Sequence, residues 1–110
     1  MAYDKELAHR IREVLQHDVG VTERAMFGGL AFMIDGHMAV GAGSRGDLML
    51  RCDPAQVDDF VAQAHVDRFE MRGRPMNGWL GVGPGAVTTD DDLRHWVRVG
   101  VDYARSLPPK

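Results

Sequence analysis

Cysteine and long apolar runs are almost absent from this sequence. Its 110 residues include a single cysteine, Cys52, which excludes an intramolecular disulfide and a metal site built from several thiolates. No run of about 20 apolar residues is present to form a membrane helix, and no basic and then apolar leader follows Met1. We therefore expect a cytoplasmic protein that does not bind a membrane.

An excess of positive charge is also missing. The chain has 13 lysines and arginines against 16 aspartates and glutamates, a net charge of −3 at pH 7. Proteins that follow nucleic-acid phosphates usually have the opposite balance, so nucleic acid is disfavoured as a partner without being excluded. With 45% hydrophobic and 26% charged residues, the composition is that of an ordinary globular protein. We predict one domain over residues 1–110.

No residue set resembles a catalytic or metal centre. The two serines, Ser44 and Ser106, lie in a glycine-rich stretch and near the end of a predicted helix. Cys52 precedes a predicted helix whose N-terminus could lower the pKa of its thiol, but a small half-buried apolar side chain is the simpler interpretation. The histidines lack any known zinc-binding spacing: His9, His17, His37, His65 and His95. We expect no enzyme activity, no cofactor and no metal.

The stretch Gly41–Gly46 matches the string G-x-G-x-x-G. A dinucleotide-binding fingerprint requires that this string leave a strand and open a helix, whose N-terminus then holds the pyrophosphate. Here Asp47–Arg51 follows, and its alternation of apolar and polar residues is typical of a strand. We therefore interpret the glycine-rich stretch as a connection between two strands of a hairpin.

The most apolar part of the chain is predicted to form a β-hairpin. The runs Leu30–Ile34 and His37–Val40 flank Asp35-Gly36, and a type I′ turn favours such a pair because both central residues need positive φ. This turn pairs Ile34 with His37 and Met33 with Met38. Further along the strands it pairs Phe32 with Ala39 and Ala31 with Val40.

The predicted pairing assigns apolar side chains to both faces of the hairpin. Phe32 and Ile34 occupy one face, because side chains alternate along a strand. The other face carries Ala31, Met33, Met38 and Val40. A sheet with one wet face would not show this pattern.

Three helices are predicted around this sheet. The first runs from about Asp4 to His17, and the second begins at Asp53-Pro54, where Asp53 caps and proline takes the first helical position. The third begins at Thr89, which forms a capping box with Asp92. It contains Gly100, which costs about 1 kcal/mol relative to alanine and so indicates close contact with the sheet or with another helix. The fold class is α+β, a mostly antiparallel sheet with helices at the N-terminus, in the middle and at the C-terminus, in the order α-β-β-β-β-α-β-β-α.

One candidate interaction surface is the apolar face of the hairpin. Three helices need not cover both faces of the sheet, and an uncovered apolar face requires a partner. Phe27-Gly28-Gly29 forms either a bulge or a loop that presents Phe27. Ala31→Asp or Val40→Asp should then disrupt association without unfolding the domain. The candidate residues are Phe27, Gly28, Gly29, Ala31, Met33, Met38 and Val40.

A second candidate surface is an arginine patch. Arginine binds phosphate or carboxylate through two parallel hydrogen bonds, so the patch could bind nucleic acid, or a small anion near Arg72 and Arg74. The simpler interpretation is the solvated side of a strand, where Glu70 neutralises part of the charge. The candidate residues are Arg45, Arg51, Arg68, Arg72 and Arg74.

The motif Arg24–Leu30 (RAMFGGL) resembles the signature of the N-terminal domain of the TfoX/Sxy family of competence regulators. Met76–Leu80 and the closing helix with Trp96 and Gly100 fall where that family has comparable elements. The resemblance implies an α+β fold and a bacterial regulatory role, with no cofactor and no catalytic residues. Family members that promote DNA uptake carry a second, C-terminal domain, whereas this sequence ends at Lys110, so we expect a stand-alone domain.

Together these patterns predict a non-enzymatic regulatory module, involved in transcriptional regulation by its family resemblance. It would act through protein–protein contacts or as a homodimer. The alternatives are a regulator that binds nucleic acid through the arginine patch and, with less support, a binder of small anionic ligands.

Overall fold

The computed structural model describes residues 4–26, 29–43, 46–71 and 73–108. Three helices and six strands form one α+β domain, which confirms the predicted fold class and the predicted order of elements. The helices are α1 (Lys5–Val14), α2 (Val57–Val61) and α3 (Asp90–Ser106). The strands are β1 (Val21–Met26), β2 (Gly29–Ile34), β3 (His37–Ala42), β4 (Leu48–Arg51), β5 (Val66–Met71) and β6 (Arg74–Val82). Within these ranges, none of the helices has the length and apolar character needed to cross a bilayer.

All six strands belong to one antiparallel sheet in the order β1-β2-β3-β4-β6-β5. Strands that are neighbours in the sheet are also consecutive in sequence, except for β4 and β6. After β4 the chain first forms α2 and the outer strand β5, and then returns as β6 to pair with β4. The outer strands are therefore β1 and β5.

The predicted type I′ turn between β2 and β3 is confirmed. Asp35 has φ of 51° and Gly36 has φ of 87°, as both central positions of that turn require. The predicted pairs Ile34–His37 and Met33–Met38 also form. The local sequence was therefore sufficient to place the turn and the first two pairs.

Further from the turn, the predicted register is wrong. A bulge opposite Phe32 and Met33 leaves Ala39 as an extra residue, so that Phe32 pairs with Val40 rather than with Ala39. Ala31 correspondingly pairs with Gly41 rather than with Val40. Since one inserted residue reverses the face of every following side chain, Val40 lies on the face of Phe32 and not on the face of Ala31.

The hydrophobic core lies between the sheet and its helices. Phe32, Ile34 and Val40 from the sheet pack in one buried cluster with side chains of α1, α2 and α3, among them Ile11, Val57 and Val97. All three helices thus lie on one face of the sheet. A contact between the rings of Phe60 in α2 and Trp96 in α3, with centroids 5.6 Å apart, joins two of them.

The predicted close contact at Gly100 is confirmed. A Cβ atom placed on Gly100 would lie 2.7 Å from Cγ1 of Val40 and would collide with the carbonyl oxygen of Ala39. The bulge residue therefore sits directly beneath α3. Only glycine at this point of the helix allows the helix to approach the bulged strand so closely.

Side chains cap the starts of the helices, as predicted for Thr89 and Asp53, with one difference. The carboxylate of Asp4 accepts a hydrogen bond from Leu7 N at 3.0 Å, and Thr89 Oγ1 accepts one from Asp92 N at 3.1 Å. Asp53 also caps, accepting from Ala55 N at 2.9 Å, but what it caps is a single 3₁₀ turn that precedes the five-residue α2.

Candidate interaction face

The face of the sheet that points away from the helices carries a layer of small and flexible apolar residues, which we name the open face. Ala31 and Met38 are only 1% and 8% exposed, yet neither belongs to the core cluster between sheet and helices. Among the residues that the structure describes, no helix packs over them. Their burial therefore comes from their neighbours on the same face.

Methionine side chains provide this cover. A Cβ atom placed on Gly41 would lie 3.0 Å from the methyl carbon of Met38 and 3.4 Å from that of Met49. Met38 thus covers Gly41 from the same strand, β3, and Met49 covers it from the neighbouring strand, β4. Met33, the partner of Met38 across the β2–β3 pair, is half-buried beside them. Methionine is well suited to such a layer because its unbranched thioether adapts to varied contacts.

One row of paired residues crosses the open face from edge to edge. The backbone pairing connects Arg24, Ala31, Gly41, Met49, Gly81 and Asp67, one residue from each strand in spatial order. Both end residues are exposed. The row therefore places a positive charge on the outer strand β1 and a negative charge on the outer strand β5, with apolar residues between them.

The structure places the predicted interaction residues in three different situations. Ala31, Met33 and Met38 lie on the open face. Gly29 lies on it too, and a Cβ atom there would stand 2.5 Å from the carbonyl oxygen of Ala42. The assignment of Val40 was wrong, since Val40 is fully buried in the core under α3. The remaining two predicted residues, Phe27 and Gly28, lie outside the described part of the chain.

Met49 and Gly81 are members of the open face that the sequence analysis missed. The alternation in β4 separates Met49 from Leu48 and Leu50, which both lie in the core. That signal was visible in the sequence. It could not be tied to Ala31, however, without knowing that the bulge brings Gly41 between them.

The predicted arginine patch is only partly described, and its described members have different surroundings. Arg68 forms an ion pair with Asp58 of α2. The guanidinium carbon of Arg51 lies 5.6 Å from the ring centroid of Trp79 and 5.5 Å from that of Tyr103. Arg74 is exposed at the start of β6, where it pairs with Met71 across the β5–β6 hairpin.

Two predicted members of the patch, Arg45 and Arg72, lie outside the described residues. The three described arginines differ in what they contact: Arg68 pairs with a carboxylate, Arg51 lies beside two rings, and Arg74 is exposed. Two aromatic rings beside Arg51 provide cation–π attraction that competes with an anion for the guanidinium.

The single thiol is not activated. Cys52 is 1% exposed, and burial, followed by the neighbouring charge of Asp53, raises the pKa of its thiol. The simpler interpretation, an apolar filler, is thus confirmed, and the alternative of a lowered pKa is wrong. Over the same described ranges, no three histidine, cysteine or carboxylate side chains come together as potential metal ligands.

The glycine-rich string also has the predicted structural role. It connects β3 to the antiparallel β4, and Gly43 N donates a hydrogen bond to the carbonyl oxygen of Asp47 at 2.9 Å. No helix opens after it, so the geometry of a dinucleotide-binding turn is lacking. Ser44 and Arg45, within the string, lie outside the described residues.

The strongest charged cluster belongs to the helix side of the sheet. Asp18, which follows α1, accepts hydrogen bonds from Arg98 at 2.5 Å and from Arg105 at 3.3 Å, both in α3. The hydrogen bond from Arg98 is the main reason why the pKa of Asp18 lies below its usual value. These ion pairs join the α1–β1 connection to α3, and they do not involve the open face.

The chain matches the model of one protein family over most of its length. The model of the TfoX N-terminal domain family matches residues 13–104 of the 110-residue chain. The matched segment contains all six strands and therefore both faces of the sheet. No curated protein is significantly similar to the chain in sequence.

Proposed function

We propose that this chain, which belongs to the TfoX N-terminal domain family, is a non-enzymatic regulatory module of the bacterial cytoplasm that acts through protein–protein contacts of its open face. The observation that carries the proposal is an apolar sheet face over which no described helix packs. An apolar face that no described helix covers is typical of an interaction site.

The composition of the open face suits a docking surface. Its centre consists of Ala31, Gly41 and Gly81 with the methionines Met38 and Met49 around them. Small residues leave the backbone approachable, and methionines can repack against a partner. Binding would remove the methionine side chains from water, at about 25 cal/mol for each Å² of apolar area buried.

The chemistry of the described residues supports a non-enzymatic role. The thiol of Cys52 is buried with a raised pKa, which makes it a poor nucleophile. Between Arg24 and Asp67, the row across the open face contains no side chain that could transfer a proton or attack a carbonyl group.

Nucleic-acid binding through the arginines, and binding of a small anion by them, have weaker support. Arg68 is already paired with Asp58, and Arg51 lies between two rings. The net charge of −3 adds a general repulsion between the protein and phosphates.

The proposal can be tested by comparing transcripts in the cell of origin between a deletion strain and strains that carry single variants. Met49→Asp places a charge in the middle of the open face. Ala62→Asp is its matched control, because Ala62 is exposed at the end of α2. We expect Met49→Asp to reproduce the transcript changes of the deletion, while Ala62→Asp resembles wild type at equal protein levels. A Met49→Asp strain with the wild-type transcript pattern would overturn the proposal, as would a deletion that changes no transcript.

A further inference from the structure

We propose that the open face binds a second copy of this chain, in a face-to-face dimer whose two-fold axis runs parallel to the strands. This inference rests on the proposed function, because it names the partner of the same face. It is carried by the opposite charges at the two ends of the row that crosses the sheet.

The row carries a positive charge at one end and a negative charge at the other, so it is complementary to a rotated copy of itself. Arg24 stands at the β1 edge and Asp67 at the β5 edge, and both are exposed. Neither forms an ion pair with the other residues that the structure describes. A surface with one positive and one negative edge, separated by apolar residues, can satisfy both charges at once by meeting a copy of itself.

A two-fold axis parallel to the strands brings the opposite charges of the two copies together. The rotation reverses the order of the strands, so β1 lies over β5 of the second copy, β2 over β6, and β3 over β4. Arg24 then faces the partner's Asp67. Because the contact is isologous, Asp67 faces the partner's Arg24 by the same operation. Sheets packed face to face lie about 10 Å apart, a gap that a long and a short charged side chain can bridge together.

The apolar centre of the row fits the same arrangement. Gly41 on β3, with its covering methionines, lies opposite the partner's Met49 on β4, so the methionine layers of the two copies meet, and this contact also occurs twice. Ala31 meets the partner's Gly81, where neither side chain obstructs close approach. Flexible methionine side chains can repack as the two layers come together.

Two other arrangements of a second copy fit less well. An axis perpendicular to the strands would place β1 over β1, so that Arg24 would face the partner's Arg24 with like charge. Pairing of the outer strands edge to edge would extend the sheet but leave Met49 and the rest of the open face in water. Only the axis parallel to the strands satisfies both the charges and the apolar centre.

Charge reversal at the two edges tests the pairing directly. Sedimentation equilibrium is measured for the full chain, for Arg24→Asp, for Asp67→Arg, and for an equal mixture of the two variants. Each variant alone should dissociate, with a dimer dissociation constant raised roughly 100-fold. The mixture should form a heterodimer near wild-type affinity, because both edges then carry opposite charges again. Asp59→Arg, an exposed charge reversal on α2, is the matched control and should dimerise normally.

Each other outcome overturns the inference. A wild-type chain that stays monomeric at every concentration excludes the second copy, while the transcript experiment still decides the proposed function. A dimer that Met49→Asp breaks but that both charge variants leave intact has a different alignment. A dimer that survives Met49→Asp does not use the open face. Circular dichroism of each variant shows whether it is folded, and the exposure of both charged positions means that folding should be unchanged.

Discussion

The two faces of one sheet follow different rules, although the same strands form both. On the side of the helices, Phe32, Ile34 and Val40 are fully buried against α1, α2 and α3. On the open face, the corresponding positions hold alanine, glycine and methionine. The helix side fills a fixed space with rigid branched and aromatic side chains, whereas the open face keeps a layer that can rearrange. We infer that the first face holds the fold together and that the second performs its function.

The difference between the two faces is tested most strongly by placing the same charge on each of them. Val40→Asp buries a carboxylate beneath α3, where no partner for it exists among the described residues, and should cost more than about 4 kcal/mol and unfold the domain. Met49→Asp should leave the free energy of unfolding within about 1 kcal/mol of wild type, once dimer dissociation is accounted for. Circular dichroism should show that Val40→Asp is unfolded without denaturant, and urea unfolding followed in the same way gives the free energy of unfolding of Met49→Asp.

This expectation corrects the one drawn from the sequence, in which Val40→Asp was to disrupt association and spare the fold. Ala31→Asp keeps its original expectation, because Ala31 lies on the open face. If Val40→Asp stayed folded and Met49→Asp did not, the assignment of the two faces would be reversed.

A second comparison adds a methyl group to a glycine on each face. A Cβ atom on Gly100 would collide with the Ala39 carbonyl and approach Val40 Cγ1 to 2.7 Å, whereas the nearest atom to one on Gly81 is the carbonyl oxygen of Asp67 at 4.0 Å. Gly100→Ala should therefore destabilise by about 2 to 3 kcal/mol, while Gly81→Ala changes the free energy of unfolding by less than about 0.5 kcal/mol. Thermal unfolding of the pair measures the difference. Equal losses of stability in the two variants would mean that α3 is not in tight contact with the bulge.

The charged cluster on the helix side predicts a dependence of stability on pH. The folded pKa of Asp18 is lowered, chiefly by the hydrogen bond from Arg98, so its stabilisation is fully present above the unfolded pKa of about 3.8. It is lost as the pH falls through the lower folded pKa. Asp18→Asn should cost about 1 kcal/mol at pH 7, a modest value because both arginines are more than one third exposed.

The cost of Asp18→Asn should disappear as the pH falls from neutral to below the lowered folded pKa of Asp18, where the wild-type carboxylate is also protonated. Denaturant unfolding of wild type and variant across this pH range measures the difference. A cost that did not change with pH would show that the ion pairs are not its cause. Dimerisation should be unaffected, since the cluster lies on the opposite side of the sheet.

The smallest expected effect concerns the arginines. Fluorescence anisotropy with labelled duplex DNA across a salt series should show no salt-dependent binding, and Arg74→Ala should change nothing. Micromolar binding with a log–log slope near −0.9 for each neutralised phosphate, weakened by Arg74→Ala, would instead favour the nucleic-acid alternative.

Local chemistry explains why most of the fold was predictable. Positive φ at Asp35 and Gly36, the caps at Asp4 and Thr89, and the tight contact at Gly100 all follow from the properties of single residues. They needed no knowledge of distant neighbours. The order of helices and strands followed from the same signals.

The bulge at Ala39 was not predictable in this way, because it depends on how β3 fits beneath α3 rather than on the sequence of β3. The misplacement of Val40 and the omission of Met49 both follow from that single extra residue, which the predicted register did not include. The contact of Arg51 with Tyr103 is likewise a tertiary effect, since Tyr103 comes from α3, distant in sequence.

The central claim, that a second copy covers the open face, is tested most directly by methionine oxidation. Wild type and Arg24→Asp are treated with dilute peroxide at low and high protein concentration, and sulfoxide at Met33, Met38 and Met49 is quantified by peptide mass spectrometry. The account predicts that high concentration protects these methionines in wild type and not in the variant. Oxidation that proceeds equally fast at both concentrations in wild type would contradict it.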